Sequence, residues 1–244
     1  MQAPLIHLEC TDSTNKELHR LLVKGAVEDG TAILADFQTN GRGRLQRVWE
    51  SAKQDSMLCT FWCELDLSPA ELPGYSLLPA LAVLDTLDKL GVHATCKWPN
   101  DIRLHGRKLG GILIECVPGK NGIRGAIIGI GINLRRAPIL PDAPYPPISL
   151  EDDGHSTDAE TLARGIQGAL MRRTSLWSDG MRAPQLEEWL SRCDHLDKTA
   201  ILTVDGRKRE GITRGLGRQG QLLLEIDGEL REVWGEEILA PAID

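Results

Sequence analysis

Two kinds of apolar periodicity alternate along this chain, and their alternation is what most restricts the fold. Alternating or continuous apolar stretches, such as residues 31–37 and 57–65, predict β-strands. Apolar residues at helical spacing, as over residues 77–90, predict α-helices between and after the strands. We therefore expect an α+β fold of two layers, in which a mixed central sheet carries helices on one side. The other predicted strands are 5–9, 95–98, 111–117 and 124–133, and the other predicted helices are 14–25, 158–177 and 184–193.

The pattern changes after Asp197. Short strand-like stretches then follow one another, separated by Gly or Asp-Gly turns. These stretches are residues 200–205, 209–216, 221–226 and 230–234. Their spacing predicts a small β-barrel that packs against the main domain, because so short a segment buries little core by itself. We place the catalytic domain at residues 1–196 and the C-terminal domain at residues 197–244.

Composition narrows the class of protein. The chain has 244 residues and a formal net charge of -7, which argues against binding to DNA or RNA backbones. No apolar run approaches the roughly 20 residues of a membrane helix, and the first ten residues do not resemble a signal peptide. Six scattered cysteines without a C-x-x-C pair indicate reduced thiols. A cytoplasmic protein that binds neither DNA nor a membrane is expected.

The first notable motif is Gly41-Arg42-Gly43-Arg44, followed by Trp49. Glycines let the backbone approach a ligand closely, and arginine forks suit carboxylate and phosphate oxygens. A solvated surface turn and a short RNA-binding Arg-Gly stretch remain open as alternatives at this point.

The second motif, Lys97-Trp98-Pro99-Asn100-Asp101, is followed closely by Lys108-Leu109-Gly110-Gly111. Asn-Asp after Pro favours a turn, so a purely structural corner is one interpretation. In a functional interpretation Asp101 holds Mg²⁺ or a ribose, while Lys97 and Lys108 face negative charge.

The third motif, Gly129-Ile130-Gly131-Ile132-Asn133, ends an apolar strand. It lacks the third glycine and the following helix of a dinucleotide fingerprint. Small residues for close packing and contact with a ligand are both open, and we expect Asn133 to touch the ligand. Since no Walker A motif, serine elbow or His-Glu-x-x-His is present, charge neutralisation and positioning are the expected chemistry.

In their order and spacing these segments resemble the biotin–protein ligase family. The resemblance also includes Asp12-Ser13-Thr14-Asn15 near the start and Gln38 before the Gly/Arg motif, and it covers essentially the whole chain. It implies a class II synthetase-like catalytic domain followed by a small SH3-like β-barrel.

The resemblance also implies roles for single residues. The implied biotin-binding residues are Ser13, Thr14, Asn15, Gln38, Arg42, Gly43, Arg44, Lys108 and Gly110. The implied ATP- or adenylate-binding residues are Arg44, Trp49, Lys97, Asn100, Asp101, Lys108 and Asn133. Catalysis is assigned to Arg42, Arg44, Lys97, Asp101 and Lys108, with Asp101 as the Mg²⁺ ligand. An apolar slot for biotin is expected from Trp98, Ile112 and Leu113, unless these belong to the core.

The activity implied is that of an ATP-dependent, AMP-forming ligase. It would convert biotin to biotinyl-5′-AMP and transfer biotin to a lysine of a biotin carboxyl carrier protein, with ATP, Mg²⁺ and biotin bound and no tightly held prosthetic group. A lipoate– or octanoate–protein ligase or transferase of the related fold is the alternative. Because Asp12 lies so near the start, we expect no DNA-reading domain and no repressor activity. A homodimer formed by sheet extension is compatible with the family.

Overall fold

In the computed structural model, residues 3–120, 122–140, 143, 145–204, 207–234 and 238–241 are described. The main domain is built on a seven-stranded sheet of order β1-β2-β3-β7-β6-β5-β4. Its strands are β1 (Leu5–Leu8), β2 (Ala32–Ala35), β3 (Ser56–Leu67), β4 (Thr95–Lys97), β5 (Asp101–Leu104), β6 (Arg107–Pro118) and β7 (Ile123–Asn133). The β1–β2 pair is parallel and every other pair is antiparallel, so the expected mixed sheet is confirmed.

A helical layer covers one face of this sheet. It consists of α2 (Leu72–Tyr75), α3 (Leu78–Asp88), α4 (Ala159–Ser178) and α5 (Arg182–Ser191). Helix α3 is mostly apolar and buried except at Asp85 and Asp88, because it lies between α4 and the rest of the core. The guanidinium of Arg173 on α4 bonds Asp85 of α3 and Glu188 of α5, which fixes the three helices to one another.

Helix α1 (Thr14–Val23) lies on the opposite face of the sheet. Its Leu18 packs with Ile33, Trp62 and Ile127 in a small separate cluster. Neighbouring residues of a strand point to opposite faces, so these strands bury apolar side chains on both sides. The expected helical layer is therefore joined by a second, smaller one, which places the start of α1 beside the centre of the sheet.

The C-terminal region forms a second antiparallel sheet, of order β11-β10-β9-β8-β12. Its strands are β8 (Thr199–Val204), β9 (Arg207–Leu216), β10 (Leu222–Ile226), β11 (Glu229–Val233) and β12 (Ile238–Pro241). This small antiparallel sheet is consistent with the expected SH3-like domain, although over the described residues it does not close into a barrel and has β11 and β12 as its edges. Residue 205, placed in a strand by the sequence pattern, lies outside the described residues. Leu222 and Leu224 join the main core, and the boundary at residue 196 stays a prediction.

Within the described part of the chain, none of the helices combines the length and apolar character that crossing a membrane requires.

Gly125 on β7 makes room for the buried ring of Trp62, because a Cβ there would lie 2.0 Å from that ring. We expect Gly125→Ala to lower the free energy of unfolding by about 1–3 kcal/mol through overpacking. The control is Gly168→Ala, at an exposed position of α4 where no atom lies within 4 Å of the added Cβ. Helix propensity predicts a neutral or stabilising effect there. Urea denaturation measures both, and equal stability of the two variants would contradict this packing.

Candidate active site

The predicted site residues gather around one cavity of about 520 Å³ on the sheet. This cavity, the reaction cleft, lies within the size range of small-molecule sites. Thirteen of the fourteen predicted residues line it: Ser13, Thr14, Asn15, Gln38, Arg42, Gly43, Arg44, Trp49, Lys97, Asn100, Asp101, Lys108 and Asn133. They come from the start of α1, the loop after β2, the β4–β5 turn and strands β6 and β7. The Gly/Arg motif thus borders the cavity, and its role in binding a ligand stays a prediction.

Gly110 is the residue that does not line the cleft. A Cβ on Gly110 would meet Ile132 and the carbonyl of Gly131. The next residue, Gly111, lines the cleft instead. For Trp98 the structure favours the core over the apolar biotin slot. It is buried in the core, and its indole N–H donates to the carbonyl of Gly220, while Ile112 and Leu113 do line the cleft.

The floor of the cleft is formed by glycines of β6 and β7. A Cβ on Gly129 would lie 2.2 Å from Asn15 Oδ1, and one on Gly131 would lie 2.6 Å from the ring of Trp49. Gly111 is also close to that ring, at 3.1 Å. The glycines of the Gly129–Asn133 motif thus allow close packing, which brings the side chains of Asn15 and Trp49 directly onto the sheet backbone. The indole N–H of Trp49 is buried and has no hydrogen-bond partner among the described residues.

At one end of the cleft, hydroxyl and amide groups form a continuous network. Gln38 Oε1 accepts from the Thr14 backbone N–H at 2.7 Å and lies 3.0 Å from its hydroxyl. The Thr60 hydroxyl lies 2.7 Å from that of Thr14 and 2.6 Å from Asn15 Oδ1. The hydroxyl groups of Thr14 and Thr60 carry two protons between them, which is one fewer than the three contacts that their oxygens make. The network is therefore rich in acceptors and favours a ligand that brings N–H groups.

Two predicted ligand residues have their amides occupied by protein groups. The amide nitrogen of Asn15 donates to Glu115 at 2.7 Å, and its oxygen faces Thr60. Asn133 donates to the Ile148 carbonyl at 3.0 Å and lies 3.4 Å from the Ser56 hydroxyl. Both amides thus hold backbone and side chains in place around the cleft. Ser13 is the N-cap of α1 but does not use its side chain for capping.

The Gly/Arg motif belongs to a small loop that projects over the cleft. A bridge between Arg42 and Val48 closes this loop, and Trp49 N–H donates to the Gly41 carbonyl. Arg42 Nη2 lies 3.0 and 3.1 Å from the two carboxylate oxygens of Glu115. Arg44 reaches Asn100 across the cleft at 3.3 Å. The loop thereby joins the β4–β5 turn to β6.

Three charged side chains meet at the other end of the cleft. Asp101 Oδ1 lies 2.7 Å from Lys108 Nζ, and Asp101 Oδ2 lies 3.4 Å from Lys97 Nζ. Strand β5, which the sequence pattern did not predict, creates this arrangement by pairing Asp101 with Lys97. The Lys97 side chain is 2% exposed, and its ammonium lies 5.0 Å from the ring centre of Tyr145. Burial alone would raise the pKa of Asp101, but the two lysines outweigh it and hold that pKa below its usual value.

The same geometry does not fit a magnesium ion held by Asp101. Both of its oxygens face ammonium groups, which would repel a dication. Over the described residues no group of three or more acidic, histidine or cysteine side chains could hold a metal. Asp101 instead orients the two lysines, contrary to the Mg²⁺-binding role that the resemblance implies.

Sequence patterns missed three contributors to the site. Glu115 and Thr60 lie within apolar strands, and Tyr145 lies in the proline-rich loop. A carboxylate within a long apolar strand is itself a signal, because it interrupts the apolar pattern. Only the fold shows which partners these side chains have.

The lysine pair leads to a prediction about pH. Since the pKa of Asp101 is depressed, its stabilising contribution is present above the unfolded pKa of about 4 and is lost as pH falls further. We expect Asp101→Asn to lower the free energy of unfolding by about 3 kcal/mol at pH 7 and by clearly less at pH 3. Denaturation at both pH values tests this, with the exposed Asp66→Asn as control. Equal losses at the two pH values would contradict the charge arrangement.

Comparison with known proteins shows the family of this chain. The sequence profile of the biotin/lipoate A/B protein ligase family matches residues 7–133. The bifunctional ligase/repressor BirA of Escherichia coli is 34% identical over 95% of this chain and 72% of its own length. The biotin–acetyl-CoA-carboxylase ligase of Paracoccus denitrificans is 31% identical over 88% of this chain and 91% of its own.

A solved structure is similar along nearly the whole chain. The biotin protein ligase from Aquifex aeolicus in complex with biotin and ATP aligns with a TM-score of 0.79 and 26% identity. The alignment covers 94% of this chain and 95% of that one. Sequence, fold and cleft together show that this chain belongs to the biotin/lipoate A/B protein ligase family, as a biotin–protein ligase.

Proposed function

We propose that this protein activates biotin with ATP to biotinyl-5′-AMP and then transfers biotin to a lysine of a biotin carboxyl carrier protein. One observation carries the proposal: a single cleft joins an acceptor-rich polar network to the buried Lys97 and the partly exposed Lys108, which share the carboxylate of Asp101. The Aquifex relative binds biotin and ATP, which supports the same pair of substrates here.

The polar network favours biotin over a simple fatty acyl group. Biotin carries a ureido ring with two N–H donors, and Thr14, Thr60 and Gln38 present acceptors in excess of their protons. Octanoate and lipoate have no such donors, so they would leave these buried groups unpaired at a cost of about 1–3 kcal/mol each. This difference is the reason for preferring biotin to the lipoate or octanoate alternative.

In the first step the biotin carboxylate attacks the α-phosphorus of ATP, and pyrophosphate leaves. Two anions must approach each other, so their charge has to be compensated. Lys97 and Lys108, oriented by Asp101, and Arg42 and Arg44 of the loop supply that charge. Each charge-assisted hydrogen bond of this kind contributes about 1.5–3 kcal/mol. ATP binds as its magnesium complex. Trp49 and Asn100 line the part of the cleft that the nucleotide would occupy.

In the second step the lysine amine of the carrier attacks the acyl carbon of the mixed anhydride, and AMP leaves. Between the steps the anhydride must be kept from water. The loop of residues 41–49 lies over the cleft and shields it, with Leu45 exposed at its tip. A cytoplasmic location, the absence of DNA binding and a homodimer stay predictions.

The direct test incubates the full chain with biotin, Mg·ATP and a carrier domain, followed by intact-protein mass spectrometry. A gain of one biotin that requires ATP is the expected result, and octanoate should give none. Modification by octanoate but not biotin would move the assignment to the lipoate and octanoate enzymes. Binding of biotin without modification of several carriers would contradict ligase activity.

Loop arginines should control how long the intermediate stays bound. We expect Arg42→Ala and Arg44→Ala to shorten the half-life of enzyme-bound biotinyl-5′-AMP by about tenfold or more, because each removes a charge-assisted contact. The half-life is measured by rapid gel filtration and mass spectrometry of the retained adenylate. The control is Arg231→Ala on β11, an exposed side chain of the second sheet. Half-lives equal to the wild type would contradict this role of the loop.

A further inference from the structure

We propose that Glu115 is a positioning residue of the reaction: it holds Arg42 in the orientation that binds the anionic part of the ligand and couples it to the biotin-recognition network. The proposal rests on the proposed function and adds a residue that does not itself line the reaction cleft. Three features of the geometry support it, namely the placement of Glu115, the unused donor of Arg42 and the continuity of the network.

Glu115 lies behind Arg42 when viewed from the reaction cleft. A second cavity of about 780 Å³ lies on the other side of the loop, and Glu115 borders only that cavity. Arg42 borders both cavities. The Arg42 side chain therefore separates the two cavities, with the Glu115 carboxylate on one side of it and the reaction cleft on the other.

The contact leaves Arg42 able to bind an anion. Only Nη2 bonds Glu115, at 3.0 and 3.1 Å. Arg42 Nε is buried and has no hydrogen-bond partner in the described part of the chain. A buried guanidinium N–H without a partner is costly unless a ligand completes it. Glu115 thus fixes the guanidinium plane by one edge, while Nε remains for a carboxylate or phosphate oxygen.

The same carboxylate also connects the loop to the recognition network. Glu115 accepts from Asn15, whose oxygen meets Thr60, and Thr60 in turn meets Thr14. A chain of hydrogen bonds therefore runs from the acceptors proposed for the ureido ring to the arginine proposed for the anionic end. Residues whose rotamers are fixed by such supporting bonds hold a ligand more tightly than mobile ones. Occupancy of the ureido site and closure of the loop should consequently depend on each other.

The test uses Glu115→Gln, which keeps the shape of the side chain and removes its charge. The amide keeps one acceptor oxygen but turns the other oxygen into an NH2 donor that faces a donor of Asn15 or Arg42, so one contact is lost and the charge-assisted one is weakened. We expect the half-life of bound biotinyl-5′-AMP to shorten about tenfold. In an Arg42→Ala background the same substitution should have almost no further effect, because Glu115 acts through Arg42. Glu64→Gln, exposed on β3, is the matched control.

A second measurement does not depend on activity. Trypsin cleaves after arginine, so the loop bearing Arg42, Arg44 and Arg47 reports its own opening. Without ligand, Glu115→Gln should be cleaved in this loop several-fold faster than the wild type and Glu64→Gln. A wild-type half-life in Glu115→Gln, or effects that simply add to Arg42→Ala, would overturn the proposal. If the wild type forms no adenylate, the proposed function fails. The trypsin experiment still tests the Glu115–Arg42 contact in that case, because equal cleavage rates of wild type and Glu115→Gln would overturn it.

Discussion

Close approach to the backbone of two central strands is the constraint on which the site depends. Gly111, Gly129 and Gly131 present no side chains, so Asn15 and the ring of Trp49 lie directly on the sheet. Any Cβ at Gly129 or Gly131 would occupy the space of those side chains. Because β6 pairs with β7 continuously from Gly110 to Val117, the backbone of this floor is fixed by a hydrogen-bond ladder, and the side chains packed on it are positioned by that ladder. The absence of side chains at these glycines therefore shapes the cleft as much as the side chains that line it.

Charge is distributed within the cleft in the way that an encounter of two anions requires. The chain carries a net charge of -7, yet five cationic side chains line the cleft, against the two carboxylates of Glu50 and Asp101, with Glu115 behind Arg42. Asp101 faces Lys97 and Lys108, and Glu115 faces Arg42, so each carboxylate orients cations and leaves an excess of positive charge. Such local concentration of one sign within a low-dielectric site makes each interaction stronger than it is at the surface.

Much of the site could be predicted from sequence because its motifs are local. The Gly/Arg loop and the Lys97–Asp101 turn are short runs whose residues stay together in any fold. The register of strands is not local: one position along β6 decides that Gly111, and not Gly110, faces the cleft. Contacts between residues far apart in sequence cannot be predicted from local motifs either. Glu115 meets Asn15 across a separation of 100 residues, which only the completed sheet reveals.

Together these features describe an enzyme that holds one reactive intermediate between two chemical steps. Detection of that intermediate therefore tests the account most directly. The protein is mixed with biotin and Mg·ATP in the absence of any carrier and examined by native mass spectrometry, with pyrophosphate release measured in parallel. We expect one biotinyl-5′-AMP bound per protein chain and one equivalent of pyrophosphate released. Release of ADP and phosphate, or the absence of any bound adenylate while both substrates bind, would contradict it.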